Sequence, residues 1–196
     1  NDKAKIRSVL SKYDIKDNYI IYIGTIQPRK NLVRLIEAFV DIKDLKLVVV
    51  GKTKGLGRQG WMYDGVLNKP KQLGIEDKVI FTGFLRGEEL DALYRAADLY
   101  VMPSVSEPFG LVALEAMRSG TPVLLSKQSG VSEVVKHALK VDFWDVNEMS
   151  NQILSVLQNG SLYQTLHLNG LREVKKYSWQ ASAEKCARVY HQLLAR

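Results

Sequence analysis

"KVIFTGFLRGEELDALYRAADLYVMP", residues 78–103, holds two short apolar runs with a helix-period segment between them. "KVIFTG" (78–83) and "DLYVMP" (98–103) are almost continuously apolar, a pattern that suits strands buried on both faces. "EELDALYRAA" (88–97) places apolar residues three and four apart, as an amphipathic helix does. Strand, helix and strand in that order imply parallel strands joined by a right-handed crossover. The alternation continues on both sides. "YIIYIG" (19–24), "LKLVVVG" (45–51) and "TPVLLS" (121–126) read as further buried strands, and "ALKVDF" (138–143) as a short sixth. "NLVRLIEAFVDI" (31–42) and "GLVALEAMRSG" (110–120) read as helices between them. Helices over 146–158, 161–176 and 179–194 close the chain, with Asn159-Gly160 as a C-cap and Ser178 as an N-cap. The glycine-rich, basic stretch "GKTKGLGRQGWMYDG" (51–65) reads as an irregular loop. The expected fold class is α/β: a Rossmann-like, doubly wound parallel sheet of about six strands flanked by helices, with C-terminal helices after it.

A chain of 196 residues, 46% hydrophobic and 25% charged, has the size and balance of one compact domain, here residues 1–196. No apolar run approaches the roughly 18–20 residues that cross a bilayer. The N-terminal "NDKAKIRSVLSKYDI" is charged and amphipathic, lacks the apolar core of a signal peptide, and has no initiator Met, as in a piece of a longer protein. The single cysteine, Cys186, excludes an internal disulfide, fits a reducing, cytoplasmic setting, and stands at a spacing that looks packed. A net charge of +7 favours a polyanionic partner. The basic residues are scattered, with no dense run, no aromatic string for nucleic acid and no zinc-ligand spacing.

Gly24, Gly51, Gly83 and Pro103 end four of the strands. In an open parallel sheet those ends border the ligand crevice, where glycine lets backbone amides approach a phosphate. "SVSEPFGLVALEAMRSGTPVL" (104–124) sets Glu107 and Glu115 eight positions apart around a Pro-Phe-Gly turn. Pro108 suits the first turn of a helix, leaving the amides of Gly110, Leu111 and Val112 free for an anion. Glu115 falls in what looks like a buried helix face, where a charge needs a partner. A carboxylate there can accept from both hydroxyls of a vicinal diol such as a ribose. "TIQPRKNL" (25–32) adds Arg29 and Lys30 at a strand-to-helix turn, with Asn31 as a candidate cap. Spacing alone leaves the ordinary readings open, since acids are common in first helical turns and an Arg-Lys pair in a loop is usually solvated.

The order of these segments resembles the retaining glycosyltransferases of the GT-B fold, family-4 type. "IGTIQPRKNL" (23–32) looks like the family's donor-phosphate loop, and "VIFTGFLRGEELDALYRAADLYVMPSVSEPFGLVALEAMRSGTPVL" (79–124) like its core signature with two acids. "SGVSEVV" (129–135) resembles the next loop. The resemblance implies one half of a GT-B enzyme, the half that binds a nucleotide-sugar. Glu115 would hold the ribose hydroxyls, Glu107 the transferred sugar, and Lys30 the diphosphate, whose leaving charge it would offset. The amides of Gly110, Leu111 and Val112 would bind the same diphosphate, and Phe84 and Leu85 would border the base. Gly24, Thr25, Arg29, Ser106 and Phe109 complete the implied donor-binding set. Many relatives carry arginine where this chain has Thr25, and Arg29 offers that charge from a different backbone position.

The resemblance further implies hexosyl transfer with retention, of mannosyl or glucosyl type, in glycan or polysaccharide biosynthesis. No metal and no cofactor are implied. The N-terminal, acceptor-binding domain of such an enzyme has no counterpart here, and His137, His167 and His191 do not stand in the context of its histidine. The chain alone would therefore bind a donor without turning it over. Its closing helix around Trp179 would present apolar surface to the missing domain or to a neighbouring copy. A parent enzyme peripheral to a membrane is compatible with this, and nucleic acid is not an expected partner. A non-catalytic nucleotide-sugar binding module and half of a GT-B sugar-nucleotide epimerase are the alternative readings.

Overall fold

The computed structural model describes residues 2–16, 18–52 and 60–195. Six parallel strands form one sheet in the order β3-β2-β1-β4-β5-β6. They are β1 (Tyr19–Ile23), β2 (Lys46–Val50), β3 (Val79–Gly83), β4 (Leu99–Met102), β5 (Val123–Ser126) and β6 (Leu139–Val141). Each lies within the expected run, shortened by one to three residues. The helices are α1 (Asp2–Lys12), α2 (Leu32–Ala38), α3 (Gly60–Gln72), α4 (Glu88–Ala96), α5 (Leu111–Arg118), α6 (Gly130–Val134), α7 (Val146–Gln158), α8 (Gly160–Val174) and α9 (Trp179–Leu194).

The period of two along each strand divides the core between the two faces of the sheet. Ile20, Tyr22, Leu47, Val49, Leu99, Val101 and Leu124 point into one cluster with Leu32, Leu35, Ile36, Met149 and Ile153. Tyr19, Ile21, Val48, Val50, Tyr100, Met102, Val123 and Leu125 point into the other with Leu93, Ala113, Ala116 and Met117. Burial on both faces accounts for the near-absence of polar residues in the strands. Strand order reverses between β1 and β4, so the loops leaving those two strands splay apart and leave a crevice at their C-terminal ends.

Three local expectations are corrected. The stretch read as a loop over 51–65 becomes helix α3 from Gly60, while residues 53–59 lie outside the described residues. Parallel neighbours β2 and β3 need a crossover of that kind, but Gly65 and the internal Pro70 hide it in the sequence. Asn159 is the C-cap of α7 as expected, but at a φ of −120° and not in the left-handed region, and its Oδ1 also caps α8 by accepting from the Leu162 amide at 3.0 Å. Cys186 is exposed on α9, not packed. Ser178 does cap that helix, its Oγ accepting from the Ala181 amide at 3.1 Å, but no residue of α9 is buried. Among the described residues no helix is long and apolar enough to cross a membrane.

Candidate functional site

The crevice is built from the two loops that leave β1 and β4. After Ile23 the chain turns at Gly24, whose carbonyl packs so closely on β2's end that a Cβ on Gly51 would lie 2.1 Å from it. The loop then tightens into a single 3-10 turn, Pro28–Lys30, which carries the basic pair. Asn31 follows with φ 58° and makes no side-chain cap, contrary to expectation. Its Nδ2 instead donates to the carbonyls of Pro103 (2.9 Å) and Phe143 (2.8 Å), and the Val105 amide donates to the Arg29 carbonyl at 2.8 Å. These bonds fasten the basic turn to the start of the acid-bearing loop.

The loop from Pro103 to Gly110 is held from its other side by the segment after β5. Glu107 makes an isolated parallel bridge with Ser129, the Gly130 amide donates to the Glu107 carbonyl at 3.0 Å, and the Val131 amide to that of Phe109 at 2.7 Å. Between the two fastenings, Lys30 Nζ and the Glu107 carboxylate form a close ion pair, with both side chains only 14% and 13% exposed. Arg29 Nη1 lies 3.6 Å from the same carboxylate and donates to the Ser106 carbonyl at 3.3 Å. One carboxylate thus faces two cations in a partly buried site, which leaves the crevice net positive.

Helix α5 begins at Leu111, so Pro108 stands three residues ahead of the helix and not in its first turn. The reversal is made by Gly110, at φ 106°, where a Cβ would come within 2.9 Å of the Met102 methyl. The Ala113 amide returns to the Gly110 carbonyl at 3.0 Å. Among the described residues no acceptor is found for the amides of Gly110, Leu111 and Val112, so the positive end of α5 is left open at the end of the loop that carries Glu107. Glu115, one turn further along, is exposed rather than buried, which corrects the premise drawn from its apolar neighbours. It does have a partner: the Tyr94 hydroxyl donates to its Oε2 at 3.1 Å. Tyr94, at the end of α4, is buried, and burial followed by the nearby Glu115 charge pushes its phenol well above the usual tyrosine range. Tyr94 carries no site signal in the sequence; its helical spacing marks it only as core.

The remaining expected residues are spread along the same edge of the sheet. Thr25 is half-buried, and its carbonyl accepts from the Tyr22 hydroxyl at 3.4 Å. Phe84, 62% exposed, and Leu85, packed on the second core cluster, follow β3 at the sheet's edge, two strands from β1. Phe109 and Leu111 are exposed on the crevice loop and the first turn of α5. No histidine joins the crevice set: His137 Nδ1 pairs with Glu173 at 2.9 Å, His167 bonds the Gly120 carbonyl, and His191 is exposed on α9. Among the described residues no group of three or more His, Cys, Asp or Glu could hold a metal ion.

Residues 2–173 match the family described as glycosyl transferases group 1, which is nearly the whole chain. The chain belongs to that family. Among curated relatives of this group 1 chain, an uncharacterized glycosyltransferase of Methanocaldococcus jannaschii is 35% identical over 96% of the chain and 48% of its own length. The O-antigen chain mannosyltransferase B of Escherichia coli is 33% identical over 95% of the chain and 49% of its own length. Among solved structures, a sucrose-phosphate synthase from Thermosynechococcus elongatus superposes with a TM-score of 0.86 at 30% identity, over 96% of this chain and 49% of that one. An Anabaena protein, Alr3699/HepE, in complex with UDP and glucose, shares the fold with a TM-score of 0.87 at 22% identity, over 96% and 52%. The chain therefore spans about half the length of the curated relatives it matches, and its fold is that of one half of a GT-B glycosyltransferase.

Proposed function

We propose that the crevice between β1 and β4 binds the nucleoside diphosphate of a sugar donor, and that the chain is the donor half of a retaining hexosyltransferase. The observation that supports this most is the pairing of both Lys30 and Arg29 with one oxygen of Glu107, on the loop that runs straight into the open first turn of α5. A diphosphate brings the negative charge that this arrangement lacks. On its arrival Lys30 shares its charge between Glu107 and the phosphates. As the bond between the anomeric carbon and the diphosphate oxygen breaks, its electron pair passes to the phosphate, and Lys30 with the helix amides stabilises that charge. Glu107, released in part from Lys30, accepts a hydrogen bond from the transferred hexose. Glu115 takes the ribose hydroxyls, and Phe84 and Leu85 border the base. The acceptor hydroxyl approaches on the face the diphosphate leaves, its oxygen bonds to the anomeric carbon and its proton passes to the departing phosphate oxygen, which retains the anomeric configuration. This reading calls for no metal and no cofactor, and for no nucleic-acid partner.

Acceptor binding belongs, in this reading, to a second half of the enzyme. The apolar residues on α9, with Trp179 79% exposed and Leu194 85% exposed, supply a surface for that half to cover. Mannosyl or glucosyl transfer fits the names of the relatives, a mannosyltransferase and a sucrose-phosphate synthase. A calorimetric panel of GDP-, UDP- and ADP-hexoses identifies the donor. Glu115→Ala should then weaken that donor by about 1.5–3 kcal/mol, because a charged acceptor loses its diol donors. The fold should be unchanged, since Glu115 is exposed. Wild-type affinity in Glu115→Ala would remove the ribose role.

A further inference from the structure

We propose that Tyr94 is a positioning residue, holding one oxygen of Glu115 so that the carboxylate meets the nucleotide ribose in a fixed orientation. The inference rests on the ribose role of Glu115 stated above. An exposed glutamate on a helix ordinarily samples many rotamers, and a ligand that recruits it must freeze them. Here the freezing is already done from beneath. Tyr94 Oη donates to Glu115 Oε2 at 3.1 Å and stands 3.5 Å from the Val112 carbonyl, so its hydroxyl bridges the side chain and main chain of α5.

Tyr94 is itself fixed at three points. Its ring packs edge-on against Tyr100 of β4, with centroids 6.4 Å apart and planes at 62°. Its carbonyl accepts from Thr121 Oγ1 at 2.6 Å and from the Ala97 amide at 3.1 Å. The residue is 3% exposed, so no water competes for the phenol on the core side. Burial, with the Glu115 charge beside it, pushes the phenol well above the usual tyrosine range, so at neutral pH Tyr94 keeps its proton and donates. Only Oε2 is engaged: among the described residues no other partner of the Glu115 side chain is found. Oε1, with the remaining lone pair of Oε2, is left facing outward for two ribose hydroxyls.

The test reads ribose recognition separately from overall affinity. UDP, GDP and ADP, each beside its 2′-deoxy and 3′-deoxy form, are titrated calorimetrically into wild type, Tyr94→Phe, Glu115→Ala and the double variant. Wild type should prefer the ribonucleotide about 10- to 100-fold, the worth of hydrogen bonds to a charged group. Glu115→Ala should abolish that preference. Tyr94→Phe keeps the buried ring and its packing on Tyr100, so the fold and the affinity for deoxynucleotides should stay as in wild type. Its preference for ribose should fall about 3- to 10-fold, the cost of ordering one freed glutamate side chain on binding. In the Glu115→Ala background the same change should have no effect. A full ribose preference in Tyr94→Phe, with its loss in Glu115→Ala, overturns the positioning role alone. An equal loss of ribo- and deoxynucleotide affinity in Tyr94→Phe also overturns it, since that marks a structural role. A full preference retained in Glu115→Ala overturns the ribose reading and this inference with it.

Discussion

Lys30 and Glu107 occupy opposite loops, 77 positions apart in sequence, yet meet as a partly buried pair because Asn31 and Val105 tie the loops together first. A half-desolvated pair of this kind is costly to break by removing one partner. It becomes useful when a ligand can take over one side of it. The identities of these two residues were legible in the sequence from their types and placement; their contact was not, because it depends on the side-chain bonds of Asn31, which spacing assigned to a helix cap. Glu115 was legible as a residue in need of a partner, but for a mistaken reason. Alanines and leucines around it suggested burial, whereas the period of α5 turns it outward and its partner rises from α4.

A buried acid away from the crevice, Glu173, governs stability rather than binding. Glu173 on α8 is 3% exposed and accepts from the Lys136 amide at 2.9 Å, the His137 amide at 2.8 Å and His137 Nδ1 at 2.9 Å. Burial pushes its carboxyl up, but the two amides and the His137 ring together outweigh burial and hold it below the ordinary glutamate value of 4.5. A depressed acid stabilises the fold above its unfolded value and loses that contribution as pH falls through the lower, folded-state value. Glu173→Gln should therefore lower Tm by roughly 4–8 °C at pH 7, the equivalent of about 2 kcal/mol. Thermal melts from pH 7 down to pH 3 should show the two curves converging. A gap that stays constant with pH would mean that the charge on Glu173 contributes nothing.

At the scale of elements, the alternation of short apolar runs with helical spacing was enough to place all six strands. A parallel sheet buried on both faces leaves an apolar signature of that kind, but the strand order, and with it the reversal between β1 and β4, is not written in the alternation. Elements without a continuous apolar face were harder. Helix α3 carries Gly65 and Pro70, and α6 is only five residues long, so neither stands out against loop composition. Helix α9 was recognised by its period and cap, yet its period overstated its burial: the amphipathic face is real, and nothing among the described residues covers it. Ending the chain after Tyr177 should accordingly leave Tm within about 3 °C of the whole chain, as for changes confined to a surface. Tyr177 itself is kept because its hydroxyl bonds the Val134 carbonyl at 2.8 Å. A fall beyond about 8 °C in circular-dichroism melts would show that α9 packs on the domain in solution.

Across the whole molecule, the sheet order brings the two informative loops to one edge, and the family relationship explains why residues so far apart in sequence converge there. The chain covers about half of its relatives' length, and the proposed division of labour follows from that. In that proposal the donor-binding groups lie within it, while acceptor positioning, which can supply roughly 7–11 kcal/mol of barrier reduction, is assigned to the remainder. The central claim is that a diphosphate sits against Lys30 in the β1–β4 crevice. It is tested most directly by titrating wild type and Lys30→Ala with UDP, GDP and ADP and with the matching nucleosides, at low and high salt. The account predicts that Lys30→Ala loses affinity for the diphosphate of the preferred base far more than for its nucleoside. It also predicts that the difference shrinks as salt rises, since the site is partly open to solvent. Equal losses for nucleotide and nucleoside, or no loss for either, would contradict it.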